Sequence, residues 1–190
     1  MIKVIKIPVG KISANCYVVF TTNSSDAIVI DPGDEYLKIE NALIENNLYA
    51  KAVLITHGHF DHIGALSEFA KYKIPIYIHQ LDADKLTTDN NLGNTFRITV
   101  KRRNANMLFG GEKFSFSVAG LDILALHTPG HSKGSVCYLI ENCLFTGDTL
   151  FKNGYGRTDF YDGDFNELKN SLRFLKKFIS SDTKILPGHD

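Results

Sequence analysis

One stretch of seven residues constrains this chain more than any other part of its sequence: Thr56-His57-Gly58-His59-Phe60-Asp61-His62. Four of these seven side chains can bind a metal ion, and the apolar run at 52–55 before them predicts a buried strand. Residues two apart on an extended chain point the same way, so His57 and His59 can hold one ion together. Asp61 and His62 are adjacent and point elsewhere, which predicts a second ion.

The alternative interpretation of this stretch is a polar loop that merely follows a strand. The whole chain has only seven histidines, and three of them fall within six positions beside a carboxylate. Imidazoles and carboxylates clustered this closely are typical of metal sites. We therefore predict a metal site here.

Three later segments repeat the pattern of a strand that ends in a glycine turn with a ligand beside it. They are Pro129-Gly130-His131, Gly147-Asp148 and Pro187-Gly188-His189. Ligands on such turns converge at one edge of a sandwich, where a rigid scaffold positions functional residues. We therefore expect these three ligands to join the motif.

The seven donors divide into two groups, which predicts two divalent ions. One ion would be held by His57, His59 and His131, and the other by Asp61, His62 and His189, with Asp148 bridging both. Two ions about 3.5–4 Å apart can share a hydroxide that is nucleophilic near neutral pH. A donor set rich in imidazole with some carboxylate fits zinc best, with iron or manganese as alternatives. No serine-nucleophile motif and no phosphate-binding glycine loop competes with this interpretation.

Two histidines remain outside these groups. His79 ends a predicted strand without a neighbouring ligand pattern, and we interpret it as a structural, partly buried residue. His127 precedes His131 by four positions on a strand-and-turn path, so both cannot easily reach one ion. The Pro-Gly turn favours His131 as the ligand.

The hydrophobic pattern predicts strands followed by a helix in the first half of the chain, and the same order again in the second half. This order indicates two packed sheets with helices outside. The expected strands are 2–9, 16–20, 27–30, 52–55, 76–79, 113–118, 121–127, 135–140, 143–146 and 184–186. The expected helices are 35–46, 63–72 and 165–178, with one more helical turn at 82–86. The first helix carries an apolar stripe of Leu37, Ala42, Leu43 and Ile44, and Asp164 is the predicted N-cap of the last. Residues 87–111 read as a long loop with little regular structure.

Composition bounds the classes of protein to which the chain can belong. At 190 residues it is long enough to bury a core, and we expect one domain spanning 1–190. Acidic and basic residues each number 21, so no net field favours nucleic acid or an anionic membrane. No apolar run approaches the roughly 20 residues of a membrane span, and the start alternates like a strand rather than a signal peptide. Three cysteines without a Cys-x-x-Cys predict free thiols and a cytoplasmic location.

The seven ligands resemble the pattern of the metallo-β-lactamase-fold superfamily. Its Thr-His-x-His-x-Asp-His motif matches 56–62, and its later ligands match His131, Asp148 and His189. The resemblance implies an α+β fold, a four-layer αββα sandwich with a binuclear metal site at one edge. It also implies that Asp31, in Asp31-Pro32-Gly33, orients a ligand from behind. From the residues alone Asp31 reads as a turn residue, and both interpretations stay open here.

Within that superfamily the chain looks most similar to glyoxalase II (hydroxyacylglutathione hydrolase), in its short single-domain form. The resembling segments are Asn15-Cys16-Tyr17, 56–64, 127–131, Gly134-Ser135-Val136, 147–151 and Gly156-Arg157-Thr158-Asp159-Phe160. By this resemblance Arg157 is the candidate contact to an anionic part of the substrate. The alternative is a structural Arg157 tied to Asp159 or Asp162. Asp159 also stands where those enzymes have a tyrosine of the glutathione pocket.

The resemblance implies a thioester hydrolase that acts on a small molecule such as S-lactoylglutathione, with a glutathione-linked thiol as one carrier. A metal-bridging hydroxide would attack the acyl carbon, and Asp61 would orient it and accept its proton. The first alternative is a persulfide dioxygenase that uses one iron and shares these motifs. A β-lactamase or nuclease of the superfamily is the second, although β-lactamases often carry Cys near position 148. A non-enzymatic metal-binding domain is the third alternative. The seven ligands leave room for a shared water, which argues against it because structural zinc sites are closed.

Overall fold

Eleven strands in two sheets form the body of the protein, and the computed structural model describes residues 1–190. The first sheet contains, in spatial order, β1 (Ile2–Val9), β2 (Ala14–Thr21), β3 (Asp26–Ile30), β4 (Tyr49–Leu54), β5 (Ile76–His79) and β6 (Met107–Phe109). The second contains β7 (Lys113–Val118), β8 (Leu121–His127), β9 (Val136–Ile140), β10 (Cys143–Gly147) and β11 (Lys184–Pro187), likewise in order. Strands β1 to β3 and β7 to β10 pair antiparallel, whereas β3 to β6 and the pair β10–β11 are parallel.

The helices are few and short. They are α1 (Tyr36–Glu45), α2 (Phe60–Ile63) and α3 (Phe165–Leu175), together with 3-10 helices at Leu66–Tyr72, Gln80–Leu86, Asp89–Asn91 and Gly93–Phe96. No helix combines the length and the apolar character that crossing a bilayer requires.

The period-two alternation of the strands divides the core into layers. On β2, Tyr17 and Val19 pack between the two sheets, whereas Cys16 and Val18 pack on the side of α1. The second sheet buries its other face in a smaller cluster that includes Leu175 of α3. Two sheets therefore face each other with helices outside both. The predicted α+β, four-layer αββα sandwich is confirmed.

Helix α3 begins where the sequence predicts. The Asp164 side chain accepts hydrogen bonds from the backbone N–H groups of Asn166 and Glu167, which identifies it as the N-cap. Leu168 and Leu175 are fully buried, and Leu175 packs against residues of the second sheet. The helix ends at Leu175, three residues earlier than expected.

The predicted helix 63–72 is wrong in its start and its continuity. Helix α2 begins at Phe60, inside the metal motif, and ends at Ile63, and a separate 3-10 helix follows. Between them the backbone N–H of Ala65 donates to the carbonyl of Pro32, and a side chain on Gly64 would collide with the Gly33 carbonyl. This close approach to the turn after β3 ends the helix.

Two further expectations are wrong. Helix α1 buries Ile39 and Leu43, whereas Leu37 and Ile44 of the expected stripe are mostly exposed. The loop 87–111 contains two 3-10 turns and β6, which pairs parallel with β5. A three-residue edge strand is too short to give a recognisable period.

The three cysteines, Cys16, Cys137 and Cys143, are buried free thiols, as expected.

Candidate metal centre

All seven predicted ligands lie at the same end of the sandwich. Strand β4 leads into the motif at 56–62, β8 into His131, β10 into Asp148 and β11 into His189. These strands run in one direction within their sheets, so their carboxyl ends meet at one edge. The backbone of His189 is fixed there as well, because Gly188 donates to the Gly147 carbonyl and accepts from the Asn15 amide at 2.8 and 2.7 Å.

The first group consists of three buried imidazoles, from His57, His59 and His131. Their ligand atoms lie within 4.8 Å of one another, and the ring centroids are 4.6 to 4.7 Å apart. His59 Nδ1 lies 2.9 Å from His131 Nε2. Three imidazoles aimed at one point suit a divalent ion.

The second group consists of Asp61, His62 and His189. Asp61 Oδ2 lies 3.3 Å from His62 Nε2 and 3.1 Å from His189 Nε2. Asp148 lies between the groups, with Oδ1 3.4 Å from His62 Nε2 and Oδ2 3.5 Å from His131 Nε2. The geometry therefore offers Asp148 as a carboxylate shared by both groups.

Unpartnered atoms test whether this cluster fits a metal ion. His57 Nε2, His62 Nε2 and Asp148 Oδ1 are buried and have no hydrogen-bond partner. Such atoms normally find a partner, because burying a polar group without one costs about 1–3 kcal/mol. A cation coordinated by these atoms would satisfy them together, so the residues fit a metal.

Asp31 lies behind both groups and fixes two imidazoles. Its Oδ1 accepts from the Thr56 amide at 2.7 Å, and its Oδ2 accepts from the Thr56 hydroxyl at 2.6 Å and from His62 Nδ1 at 2.9 Å. The Thr56 hydroxyl in turn lies 3.1 Å from His57 Nδ1. Because the hydroxyl proton goes to Asp31, His57 Nδ1 is the donor in that contact. Both imidazoles therefore carry their proton on Nδ1 and present a free Nε2 to the centre.

His131 is oriented by the backbone of a residue that the sequence singled out for its side chain. His131 Nδ1 donates to the carbonyl oxygen of Arg157 at 2.7 Å, which leaves Nε2 facing the other ligands. A carbonyl contact has no signature in the sequence, so this function of position 157 could not be predicted.

The two groups differ in their electrostatics. Burial and the neighbouring imidazoles lower the pKa of His57 well below its usual range, and burial, then His131, lowers the pKa of His59 to about 3. Burial opposes ionisation of Asp61, but His62 and His189 outweigh it and hold the pKa of this carboxyl well below its usual range. Burial likewise disfavours the charged form of His62, yet the three surrounding carboxylates raise its pKa. His57 and His59 are therefore neutral, whereas the second group combines ionised carboxylates with an imidazole that they tend to protonate. A cation bound there would take the place of that proton.

Asp82 connects the two loops that carry the tri-imidazole group. Its Oδ2 accepts from the Gly58 amide and from the Ser132 hydroxyl, each at 2.8 Å, and its Oδ1 accepts from the Gly134 amide at 2.8 Å. One fully buried carboxylate thus holds the backbone beside His59 and His131.

Asp82 belongs to a buried ion cluster that the sequence analysis missed. Lys85 Nζ lies 2.5 Å from Asp82 Oδ1 and 2.6 Å from Asp162 Oδ2, and all three side chains are buried. The spacing of Asp82 and Lys85, three apart in a helical turn, was a signal for this pair. Asp162 is 77 positions from Lys85, and nothing local links them.

The centre opens into a pocket of about 350 Å³. Six of its lining side chains are apolar: Ile12, Phe60, Leu92, Phe96, Phe151 and Phe160. Arg157 also lines this pocket, but its guanidinium pairs with Asp159, with Nε–Oδ1 and Nη2–Oδ2 distances of 2.6 and 2.5 Å. Of the two interpretations of Arg157, the ion pair with Asp159 is the one observed.

The two remaining histidines, His79 and His127, lie outside the groups of side chains that could hold a metal. Their rings stack on each other with centroids 4.0 Å apart. His79 is buried, and its Nδ1 accepts from the Leu81 amide, whereas His127 Nε2 donates to the Lys133 carbonyl at 2.8 Å. His79 was predicted to be a partly buried structural residue, and its ring is fully buried against His127.

Two packed sheets with a candidate His/Asp metal centre at their strand ends define a class of metalloprotein, and the comparisons give its family. A model described as the metallo-beta-lactamase superfamily matches residues 9–189. Over 189 residues the chain is 36% identical to the probable metallo-hydrolase YqgX of Bacillus subtilis (strain 168), covering 97% of this chain and 88% of that protein. The chain belongs to the metallo-β-lactamase superfamily.

Solved structures agree with this placement. The BLEG-1 B3 metallo-beta-lactamase is 33% identical, with a TM-score of 0.91, and the match covers all of this chain and 92% of that one. TTHA1623 in a di-iron-bound form is 29% identical, with a TM-score of 0.85, covering 98% and 92% of the two chains. The fold of this family implies divalent metal ions, and the relatives indicate a metal-dependent hydrolase.

Proposed function

We propose that this protein is a thioester hydrolase that uses two divalent metal ions. One observation carries the proposal: buried, unpartnered ligand atoms of two adjacent groups converge at the floor of an open pocket. A closed structural site would bury its ion completely, whereas a catalytic site keeps a position open. The proposed ligands are the seven residues of the two groups: His57, His59, Asp61, His62, His131, Asp148 and His189.

Divalent ions bound there would supply Lewis acidity and lower the pKa of a coordinated water towards neutrality. The protein supplies position and proton transfer. Asp31 holds His57 and His62 in one tautomer, and the Arg157 carbonyl does the same for His131. Asp61 lines the pocket, and its low pKa keeps the carboxylate ionised, so it can orient the attacking water by accepting a hydrogen bond from it. In this proposal it also receives the proton of the water, whose acidity the ions would raise. A thiolate leaves readily, so no strong general acid is needed.

Zinc is the metal that we propose. Imidazole with carboxylate suits this borderline ion, and iron and manganese fit the same ligands less well. The di-iron form of TTHA1623 makes iron the alternative to test.

The testing experiment measures thioester hydrolysis and metal content on one purified sample. S-lactoylglutathione and S-hexanoyl-N-acetylcysteamine serve as substrates, and thiol release is the readout. We expect hydrolysis with about two ions per chain. Asp148→Asn should lose both metal and activity, because this carboxylate lies between the two groups.

His127→Gln is the matched control. His127 lies outside the ligand groups, and glutamine can still donate to the Lys133 carbonyl. This variant should keep its metal and its activity. A protein that contains one iron and consumes oxygen on glutathione persulfide, or an Asp148→Asn variant with full activity, would contradict the proposal.

Hydrolysis of β-lactams is a second candidate function, favoured by the 33% identity to the BLEG-1 B3 metallo-beta-lactamase. A chromogenic cephalosporin assayed beside the thioesters separates the two. A specificity constant for the cephalosporin above that for every thioester would assign the site to β-lactams.

A further inference from the structure

We infer that the pocket beside the metal centre binds a neutral, apolar part of the substrate and discriminates against an anionic carrier such as glutathione. This inference rests on the proposed thioester hydrolysis and names its substrate class. Two observations carry it: the apolar lining and the paired guanidinium.

Six of the thirteen residues that line the pocket have aromatic or aliphatic side chains. Phe160 packs edge-on against the imidazoles of His59 and His131, with ring centroids 5.2 and 5.8 Å away. The ring centroids of Phe60 and Phe96 lie 4.9 Å apart, and 45% of Phe96 is exposed. Burying such a surface against an apolar ligand is favourable.

The only lysine or arginine in the lining is already neutralised. The Arg157 guanidinium forms a two-point pair with Asp159 and lies 4.5 Å from the centre of the Phe160 ring. Asp159 raises the pKa of Arg157, and Arg157 lowers the pKa of Asp159 to about 2, so both groups are ionised and face each other. Lys11 lines an adjoining cavity of about 80 Å³, which shares Ile12, Phe60 and Asp61 with the pocket and also includes Asp34.

Asp61 and Asp148 at the pocket floor are proposed metal ligands, and bound ions would offset their charge. Discrimination therefore depends on the wall, where the only arginine is already paired with Asp159. The glutathione part of a thioester carries two carboxylates and one ammonium group, and these groups would leave water for this largely apolar wall. Moving a charged group to such a place is unfavourable.

The experiment compares two thioethers that cannot be hydrolysed, S-hexyl-N-acetylcysteamine and S-hexylglutathione, binding to the metal-loaded protein by calorimetry. Both present the same alkyl chain and sulfur, and only the second is anionic. We expect the neutral ligand to bind at least about tenfold more tightly. Shortening its hexyl chain to ethyl should weaken binding by about fourfold per methylene, as burial in an apolar pocket requires.

Two sets of variants assign the discrimination to named residues. Phe96→Ala should weaken binding of the neutral ligand about tenfold, whereas Tyr49→Ala, an exposed aromatic at the far end of β4, should not. Asp159→Asn should strengthen binding of S-hexylglutathione severalfold, because it frees the guanidinium. Adding Arg157→Gln to Asp159→Asn should abolish that gain.

Equal or tighter binding of S-hexylglutathione by the unaltered protein would overturn the inference, as would neutral binding that ignores chain length or Phe96. Because the thioethers are not substrates, the result does not depend on turnover. A protein that binds the neutral thioether in this way but hydrolyses no thioester contradicts the proposed reaction and supports the assignment of the pocket.

Discussion

At the residue scale, the candidate centre depends on a carboxylate that is not one of its proposed ligands. Asp31 receives three hydrogen bonds, two from Thr56 and one from His62, and through them it sets the tautomer of a ligand in each group. An ionised carboxylate accepts hydrogen bonds but cannot donate them. His62 must therefore carry a proton on Nδ1 to make its contact with Asp31. Of the two interpretations that the sequence left open, the structure favours the orienting residue, although Asp31 also begins the turn after β3.

Replacing this carboxylate by an amide tests its function. Asp31→Asn replaces one carboxylate oxygen by an N–H₂ group, which faces the hydrogen-bond donors of Thr56 and His62. His57 or His62 then loses the acceptor that fixes its tautomer. We expect the affinity for zinc to fall about 10- to 100-fold. Competition with a chromophoric chelator measures it.

Asp26→Asn is the control, because Asp26 is a partly exposed aspartate at the other end of β3. It should leave the affinity unchanged. Equal zinc affinities for Asp31→Asn and the unaltered protein would show that Asp31 is only a turn residue.

A second prediction concerns His79, which is buried outside the metal centre. Burial, then His127, lowers its pKa from 6.5 to about 4. In the unfolded chain this imidazole binds a proton below about pH 6.5, whereas in the folded protein it binds one only below about pH 4. Acidification between these two values therefore favours unfolding. We expect this residue to cost about 2 kcal/mol of stability between pH 7.5 and 5.

Urea unfolding at several pH values compares the protein with His79→Phe. Phenylalanine can stack on His127 but does not titrate, so its stability should fall less steeply in acid. Parallel pH profiles for the two proteins would contradict the prediction. All the other histidines are common to both, so their titration cancels.

At the element scale, short irregular segments matter more than helices. The 3-10 helix Gln80–Leu86 carries Asp82 and Lys85, which join the loop after β4 to the loop before β9 and to Asp162. Both tri-imidazole loops are thereby fixed to one buried ion cluster. The site is held by an element that offers no ligand itself.

Removing the cation from this cluster should be costly. Lys85→Met leaves Asp82 and Asp162 buried without their partner, and breaking a buried pair costs about 3–5 kcal/mol. Denaturant unfolding measures the loss. Lys71→Met removes an exposed partner of Glu40 instead, and such pairs contribute less than about 1 kcal/mol. Similar small losses in both variants would show that the buried cluster does not stabilise the fold.

The same elements show what sequence could and could not predict. The strands were predicted because alternation of Tyr17 and Val19 with Cys16 and Val18 is a local pattern. The ligands were predicted because four of them fall within six positions of the chain. The partner of Lys85 and the break at Gly64 depend on contacts between distant segments, and no local pattern encodes those. The stripe of α1 failed because two of its apolar residues lie on an exposed face.

At the scale of the whole molecule, the proposed ions join the two sheets. The first sheet supplies the ligands from the motif after β4, and the second supplies His131, Asp148 and His189. Each group in which an ion could sit contains ligands from both sheets. Metal binding should therefore stabilise the packing of one sheet on the other.

Metal removal tests this coupling. A ligand present at a thousand times its dissociation constant adds about 4 kcal/mol to stability, so stripping the metal should lower Tm by about 10 °C. Differential scanning calorimetry before and after treatment with a chelator measures the change, and added zinc should restore it. Asp148→Asn should respond less to the chelator. An unchanged Tm after verified removal of the metal would contradict the proposed coupling.

All the chemistry lies at one end of the strands, and the hairpin between β7 and β8 turns at the other. That turn contains Ala119 and Gly120, both with positive φ, and leads into β8 at the end away from His131. Residues can be inserted or substituted at this turn without contacting the candidate metal centre. The molecule can therefore acquire new surfaces, attached labels or fused modules at one pole while selection on turnover acts at the opposite pole.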